Sequence, residues 1–278
     1  MSFDFDDFDV RSRFIDLDEK TDELEALLRD LPEEGETFDE KCKIAYIYHD
    51  SALDGIVLTY HELRAAVDRK VMSDSALIPT YQEIKNHCEA LELIQEHCKD
   101  ERLKKNRART PKITVQLIYD LHVLLNKDLP RKTPGVLRKD MPLHRTYFHE
   151  ILDPSEIEAG LAEVCESLND ADFRAQHAIN QACLFHHGFM RVFPFSDGAG
   201  KIGRLTMNYF LMRAGYMPAV IHACDRQRYY ESLKDPEALR TLIIDSMDAA
   251  LEAGLRHLKE RFKMRHSGDR RQRWSLSG

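Results

Sequence analysis

Val192-Phe193-Pro194-Phe195-Ser196-Asp197-Gly198-Ala199-Gly200-Lys201-Ile202-Gly203-Arg204 is the stretch in which proline, glycine and charge gather between two apolar helical patterns. Upstream, Ala182, Phe185, Phe189 and Val192 recur at helical spacing, and the residues after Lys201 do the same. The stretch is therefore a loop joining helix to helix. Its aromatic-Pro-aromatic entry fixes the backbone, Asp197 offers a carboxylate, and Gly198 and Gly200 leave main-chain N–H groups open to a ligand because no Cβ shields them. Lys201 and Arg204 then open the next helix. Cations are unfavourable at a helix start, where unpaired N–H groups and the dipole are already positive, unless they serve an anion. Phosphate is the anion that suits such a seat.

Two phosphate motifs are excluded. Gly198, Gly200 and Gly203 satisfy G-x-G-x-x-G, but the dinucleotide fingerprint follows a β-strand and none precedes this loop. A Walker A loop requires Gly at position 195 and Ser or Thr after Lys201, where this chain has Phe195 and Ile202.

The order helix, loop, helix, with His186 and Phe189 upstream, resembles the Fic (fido) family, whose signature is H-P-F-x-D-G-N-G-R-x-x-R. Pro194, Phe195, Asp197, Gly198, Gly200 and Arg204 stand at matching positions, while Phe193 replaces the His, Ala199 the Asn and Lys201 the first Arg. Outside the loop, Pro134-Gly135-Val136-Leu137-Arg138 resembles the family's flap, Arg226-x-x-Tyr229-Tyr230 its nucleotide-side element, and Ser51-Ala52-Leu53-Asp54-Gly55 its inhibitory motif, with Asp54 where Glu is usual. The resemblance covers roughly residues 40–250.

What the resemblance implies is specific. ATP or a related nucleotide would be the ligand, with Mg²⁺ held by Asp197 and phosphates met by Gly198, Gly200, Lys201 and Arg204; Tyr229 and Tyr230 would border the nucleotide. A protein target would dock at Gly135, Val136, Leu137 and Arg138, and a second copy of the chain is a further partner to expect. In the family the loop His takes a proton from a target hydroxyl as it attacks the α-phosphate. Phe193 cannot, and losing a positioned base costs about 10²–10⁴-fold in rate. Lys201 keeps a charge without the fork that Arg offers phosphate. The expectation is a Fic-fold protein with an anion cradle that has lost AMP transfer and acts by binding nucleotide or protein. Two alternatives stay open: an active transferase with a relocated base at His186, His187 or His222, and a peptide-binding scaffold without nucleotide.

Each element also has a plainer interpretation. Asp197 suits an Asx-type turn, residues 51–55 a helix-start turn, and paired Tyr229 and Tyr230 a helical core. Asp54 would sit one methylene short of the family's Glu in reaching Arg204.

Around this site the sequence predicts an all-α bundle with one short β-hairpin or extended flap in residues 130–149 and an N-terminal helical extension. Residues 1–16 read as an acidic mobile segment, 17–110 as the helical extension, 111–262 as the Fic-like core and 263–278 as a basic tail. Pro32 with Gly35 ends a first helix, 38–49 forms a second, Tyr81 to Cys98 a long one, and Asp172 to Val192 delivers the chain into the loop. His87 and His97 read as solvated or core-edge residues. Residues 1–40 carry sixteen acidic against four basic side chains, whereas Arg256 to Arg273 carries eight basic against two acidic. A basic helix end is a solvated face that suits its own dipole, so nucleic acid is not the expected partner. No apolar run approaches the roughly 20 residues that span a bilayer, and six cysteines without a C-x-x-C pair read as reduced thiols, so a cytoplasmic location without a membrane partner is expected.

Overall fold

The computed structural model describes residues 8–67, 78–102, 111–142 and 149–275. Phe3, Phe5, the basic run Lys104 to Arg109 and Leu143 lie outside them. Eleven α-helices are found among the described residues: α1 Phe8–Asp30, α2 Pro32–Leu53, α3 Tyr60–Val67, α4 Ile78–Arg102, α5 Val115–Asn126, α6 Ile157–Glu166, α7 Ala171–Ala175, α8 Ala178–Val192, α9 Ala199–Ala214, α10 Arg226–Ser232 and α11 Pro236–Ser275. The all-α expectation holds.

Helix α9 is the axis of the fold. Every residue from Ala199 to Met212 is buried, under α8, α4 and α5. A helix apolar all round belongs in a core. Yet the first turns of α9 carry Lys201 and Arg204, so the surrounding elements must supply partners for two buried charges. At Gly203 α9 packs tightly on α8: a Cβ there would lie 3.0 Å from His186 Cε1 and from Met190 Sδ.

Helices α1 and α11 run side by side in the same direction, because their ion-pair partners climb together, from Arg13 with Asp245 to Glu23 with Lys259. Such exposed pairs contribute about 0–1 kcal/mol each. Phe14, Leu17, Leu24 and Leu31, all buried, contribute more, about 1.5–3 kcal/mol apiece for full burial. The predicted mobile segment is therefore corrected from Phe8 onward, since α1 starts there and Phe14 stacks on His177 at 4.1 Å. Helix α11 likewise runs unbroken through the expected boundary at residues 262 and 263.

Three further expectations change. Pro32 opens α2 as well as closing α1, since its missing N–H costs nothing in a first turn, and Gly35 lies inside the helix. The helix expected over 172–192 breaks at Gln176 and His177; the buried Gln181 amide takes up the carbonyls of Phe173, Arg174 and Gln176 at the break. The flap holds no β-strand among the described residues. Its hydrogen bonds go to the loop instead of to a hairpin partner: Arg138 N–H donates to the Pro194 carbonyl at 2.9 Å, and the buried guanidinium donates to the carbonyls of Phe193 (2.7 Å), Val192 (3.3 Å) and Leu152.

Arg138 is thus the tie between flap and loop. Replacing it by Met, which keeps most of the volume and the backbone bond to Pro194, strands the carbonyls of Phe193, Val192 and Leu152 that the guanidinium served. Arg138→Met is expected to lower unfolding free energy by about 2–4 kcal/mol, read by urea denaturation, because unsatisfied buried polar groups cost about 1–3 kcal/mol each.

Candidate active site

The loop begins where α8 ends. Phe193 closes α8 in the left-handed region at φ 44°, its N–H on the Phe189 carbonyl at 2.9 Å, and its ring is buried edge-on to His149 at 6.3 Å between centroids. Left-handed backbone is strained for any residue with a Cβ, so burial of the ring and the bonds from Arg138 must hold it. Gly198, at φ 74°, caps α9 without strain and accepts from Ile202 N–H at 3.0 Å.

Arg204 is fully buried and surrounded by acceptors. Its Nε donates to Asp50 Oδ1, Nη2 to the Asp50 carbonyl (3.2 Å) and to Asp54 Oδ1 (3.0 Å), and Nη1 to the Tyr229 hydroxyl (3.4 Å). On the far side of Asp50, His87 Nε2 lies 3.2 Å from Oδ2. Burial alone would raise the Asp50 carboxyl, but Arg204 and His87 hold it well below the usual carboxylate range. For Arg204 burial opposes the charge, and Asp50 with Asp54 outweighs it. Lys201 is also buried and pairs with Glu83 of α4 at 2.7 Å.

Both cations of the loop therefore meet carboxylates of the chain itself. The contact at Gly200 shows how closely: a Cβ on it would lie 2.8 Å from Arg204 Nη1 and 3.1 Å from Asp54 Oδ1. The open backbone at the start of α9 thus faces Asp54, a carboxylate occupying the kind of position a phosphate would take. The small void between Tyr46, Asp50, Leu53, Arg204 and Ile221 has no room for a water molecule.

Ser51-Ala52-Leu53-Asp54-Gly55 ends α2; it does not start a helix. Asp54 is the cap, Gly55 is left-handed at φ 85°, and the N–H groups of Gly55 and Ile56 return to the carbonyls of Ala52 and Ser51, a Schellman closure. The Leu53 carbonyl accepts from Arg226 Nε at 2.8 Å and from the Tyr230 hydroxyl at 3.0 Å. Tyr229 and Tyr230, read from sequence as bordering a nucleotide, are both buried, Tyr229 between Arg204 and His186 and Tyr230 on α2. Arg226 and Tyr230 clamp the helix that carries Asp50 and Asp54.

Asp197 points outward, its side chain 51% exposed, and pairs with Lys132 at 2.7 Å. No group of three His, Cys, Asp or Glu is placed to hold a metal among the described residues. One exposed carboxylate fits a Mg²⁺ shared with a nucleotide's phosphates, once Lys132 withdraws, and not a metal held by protein alone.

The histidines proposed as relocated bases are occupied elsewhere. His186 is fully buried, bonds the Tyr229 hydroxyl at 3.0 Å and is pushed by desolvation down to about 3. Burial also lowers His187, and His222 stacks on His49 at 4.5 Å. His87, expected at the core edge, is buried beside Asp50.

Sequence reasoning missed Asp50 and His122. Asp50 had a signal, since it stands one helical turn before Asp54 and shares its face. His122 of α5 had none: its Nδ1 accepts from Gly135 N–H at 2.9 Å, its Nε2 contacts the Asp197 carbonyl at 3.1 Å, and its ring stacks on Phe195 at 3.8 Å. Nδ1 as acceptor makes Nε2 the donor, and burial pushes the ring down to about 4, so it remains neutral at pH 7. The flap, the loop and α5 meet on this one imidazole.

Residues 112–211 match the protein-family description Fic/DOC family. This region is a Fic domain. Relatives described as protein adenylyltransferase Fic are 28% identical in Drosophila virilis, over 227 residues covering 80% of this chain and 43% of that protein, and 28% identical in Nematostella vectensis, covering 77% and 49%. The chain thus spans less than half the length of these curated relatives. Among solved structures, a Fic domain containing signaling protein from Bacteroides thetaiotaomicron superposes with TM-score 0.67 at 23% identity, covering 84% of this chain and 97% of that one. Fic-1 (aa134–508) from C. elegans superposes at 0.68 and 21%, covering 88% and 71%. The extension that carries Asp50 and Asp54 packs on this domain through Arg204.

Removing the Asp50 charge leaves Arg204 buried against Asp54 alone. Asp50→Asn is expected to cost about 3–5 kcal/mol of stability, as for other broken buried pairs, and Asp54→Asn, at the more exposed end, about 1 kcal/mol. The Asp50 carboxyl is depressed on folding, so its stabilisation is present above the unfolded value near 4 and lost as pH falls below it. Acid titrations followed by circular dichroism should show Asp50→Asn less sensitive to pH below about 4 than wild type.

Proposed function

We propose that this chain is a Fic-fold protein that holds a nucleotide of the ATP type weakly, through a seat closed by its own carboxylates, and has lost AMP transfer to protein hydroxyls. The observation that carries this reading is Phe193. At the position of the motif's base stands a buried hydrocarbon ring, and the nearest imidazole in contact with it, His149, is buried with Nε2 on the Met190 carbonyl at 3.0 Å. With no proton acceptor at that position, and Asp197 reserved for the metal, what remains of the family's chemistry is positioning and charge.

Binding would use Gly198 and Gly200 N–H groups for phosphate, Arg204 once released from Asp54, and Asp197 for the metal once Lys132 turns away. Bound Mg²⁺ would supply charge neutralisation between phosphate oxygens. Lys201 stays with Glu83 and supports the fold of the seat. Beside it, Val136 and Met141 expose apolar side chains, and Gly135 adjoins exposed Val123, a surface that suits a protein segment docking along the flap.

Transfer of labelled nucleotide from ATP to the protein itself and to lysate proteins tests the loss. Wild type is expected to label nothing. Phe193→His alone should recover little, and Phe193→His combined with Ala199→Asn, Lys201→Arg and Asp54→Ala should recover more, since base, orienting amide and freed Arg204 act together. Wild-type labelling that disappears on replacing His149, His186, His187 or His222 would establish a relocated base and overturn this reading.

Calorimetry with ATP and Mg²⁺ tests the seat. Asp54→Ala should bind about tenfold more tightly than wild type, because about 1.4 kcal/mol of charged hydrogen bonding no longer competes. Arg204→Ala should abolish the heat. No heat in wild type or Asp54→Ala at millimolar ligand would leave the scaffold reading.

A further inference from the structure

Besides the carboxylates on Arg204, the C-terminal end of α2 is held at three further points, two of which use Leu53. The third is an imidazole pair. His49 of α2 and His222, just before the 3₁₀ turn Ala223–Asp225, stack with centroids 4.5 Å apart and planes 14° from parallel. His49 Nδ1 accepts the Ala223 N–H at 3.1 Å. An Nδ1 that accepts carries no proton, so this contact exists only while His49 is neutral.

The neighbouring charges do not favour protonation. From α2, Asp50 faces Arg204 and His87, and Asp54 faces Arg204; from the turn and α10, Asp225 lies beside Cys224 and Arg226 donates to Leu53. Tyr48 meets His49 edge-on at 5.0 Å. No carboxylate pairs with either ring of the stack among the described residues. Burial, with His222 opposite, lowers His49 from its ordinary value.

We infer that His49 and His222 form an acid-released latch, in which protonation of His49 breaks the Ala223 bond and loosens the end of α2 that keeps Asp50 and Asp54 on Arg204. The sign follows from the neutral-state contact. A group whose folded form prefers the neutral ring contributes stability that is complete above about pH 6.5 and is lost as pH falls. The site regulated is the anion seat, so the consequence for nucleotide rests on the function proposed above; the latch itself does not. Arg226 and Tyr230 remain on Leu53 in either state, so release loosens the helix end without unfolding the domain.

Backbone amide hydrogen exchange by mass spectrometry, corrected for the intrinsic pH dependence, reads the latch without any ligand. Peptides covering 49–56 and 219–225 should lose protection by fivefold or more between pH 7.5 and 5.5 in wild type. His49→Asn should abolish that pH dependence, because the Asn oxygen can accept from Ala223 and never titrates. His222→Gln should move the wild-type midpoint upward by removing the facing charge. Flat wild-type protection, or an unchanged pH response in His49→Asn, overturns the latch. Calorimetry with ATP and Mg²⁺ run at the same pH values separates the two readings: protection that falls with acid while no heat is seen at any pH retains the latch and removes the nucleotide.

Discussion

A guanidinium with no access to water dictates much of this architecture. Arg204 sits on the most buried helix of the bundle, and an uncompensated charge there would cost several kcal/mol or more. Its counter-charges cannot come from α9, which carries no acid. They come from the end of α2, more than a hundred residues earlier, and α2 must then be pinned in place. Arg226 and Tyr230 on the Leu53 carbonyl do this, and the left-handed Gly55 turns the chain away before α2 can continue past Asp54. The N-terminal extension is on this account part of the same core as the Fic domain, because the two share the most consequential ion pair in the molecule.

The loop shows a second constraint, exchanged polarity. At positions where the family's signature has His, Asn and Arg, this chain has Phe193, Ala199 and Lys201. Phe193 and Ala199 are buried, and Lys201 turns to Glu83. Substituting apolar for polar groups at such a mouth removes orphan donors that would need a ligand and adds hydrophobic burial. The same changes that argue against transfer also make the loop a stable piece of core. His122 completes it by joining the loop carbonyl of Asp197 to the flap at Gly135, work done by one neutral ring.

The helical plan was legible because amphipathic spacing is a local signal: Leu24 and Leu31, or Phe185 and Phe189, announce their face without knowledge of the partner. The residues of the loop were legible for a different reason, that glycine and cation at a helix entrance conflict with ordinary propensities and so mark a site. What could not be read was who satisfies whom. Lys201 and Arg204 looked like free cations because Glu83, Asp50 and Asp54 are distant in sequence, and Tyr229 and Tyr230 looked like a nucleotide border although their hydroxyls turn inward. The flap was misread as a hairpin since its prolines and alternating apolar residues fit one, while Arg138, whose side chain replaces a strand partner, carries no local mark. The break at Gln176 was hidden similarly, depending on a Gln181 amide that the pattern reads as one more polar position.

A seat filled by its own carboxylate changes what affinity means. On the proposed reading Asp54, attached to a pinned helix, would compete with phosphate as an intramolecular ligand, present at its site whenever α2 is closed. A ligand that binds only the open state has its apparent affinity reduced by the open fraction; if closure is favoured by about 3 kcal/mol, about one chain in 150 is open and binding weakens by the same factor. On the proposed reading, weak nucleotide binding would then report the population of a displaced α2 end and not the quality of the phosphate contacts. Lysine at 201 cannot offset this, being held by Glu83 in the closed arrangement. On that reading, tightening the grip on phosphate and loosening the grip of Asp50 and Asp54 on Arg204 are separable changes, since they act on different partners of the same guanidinium.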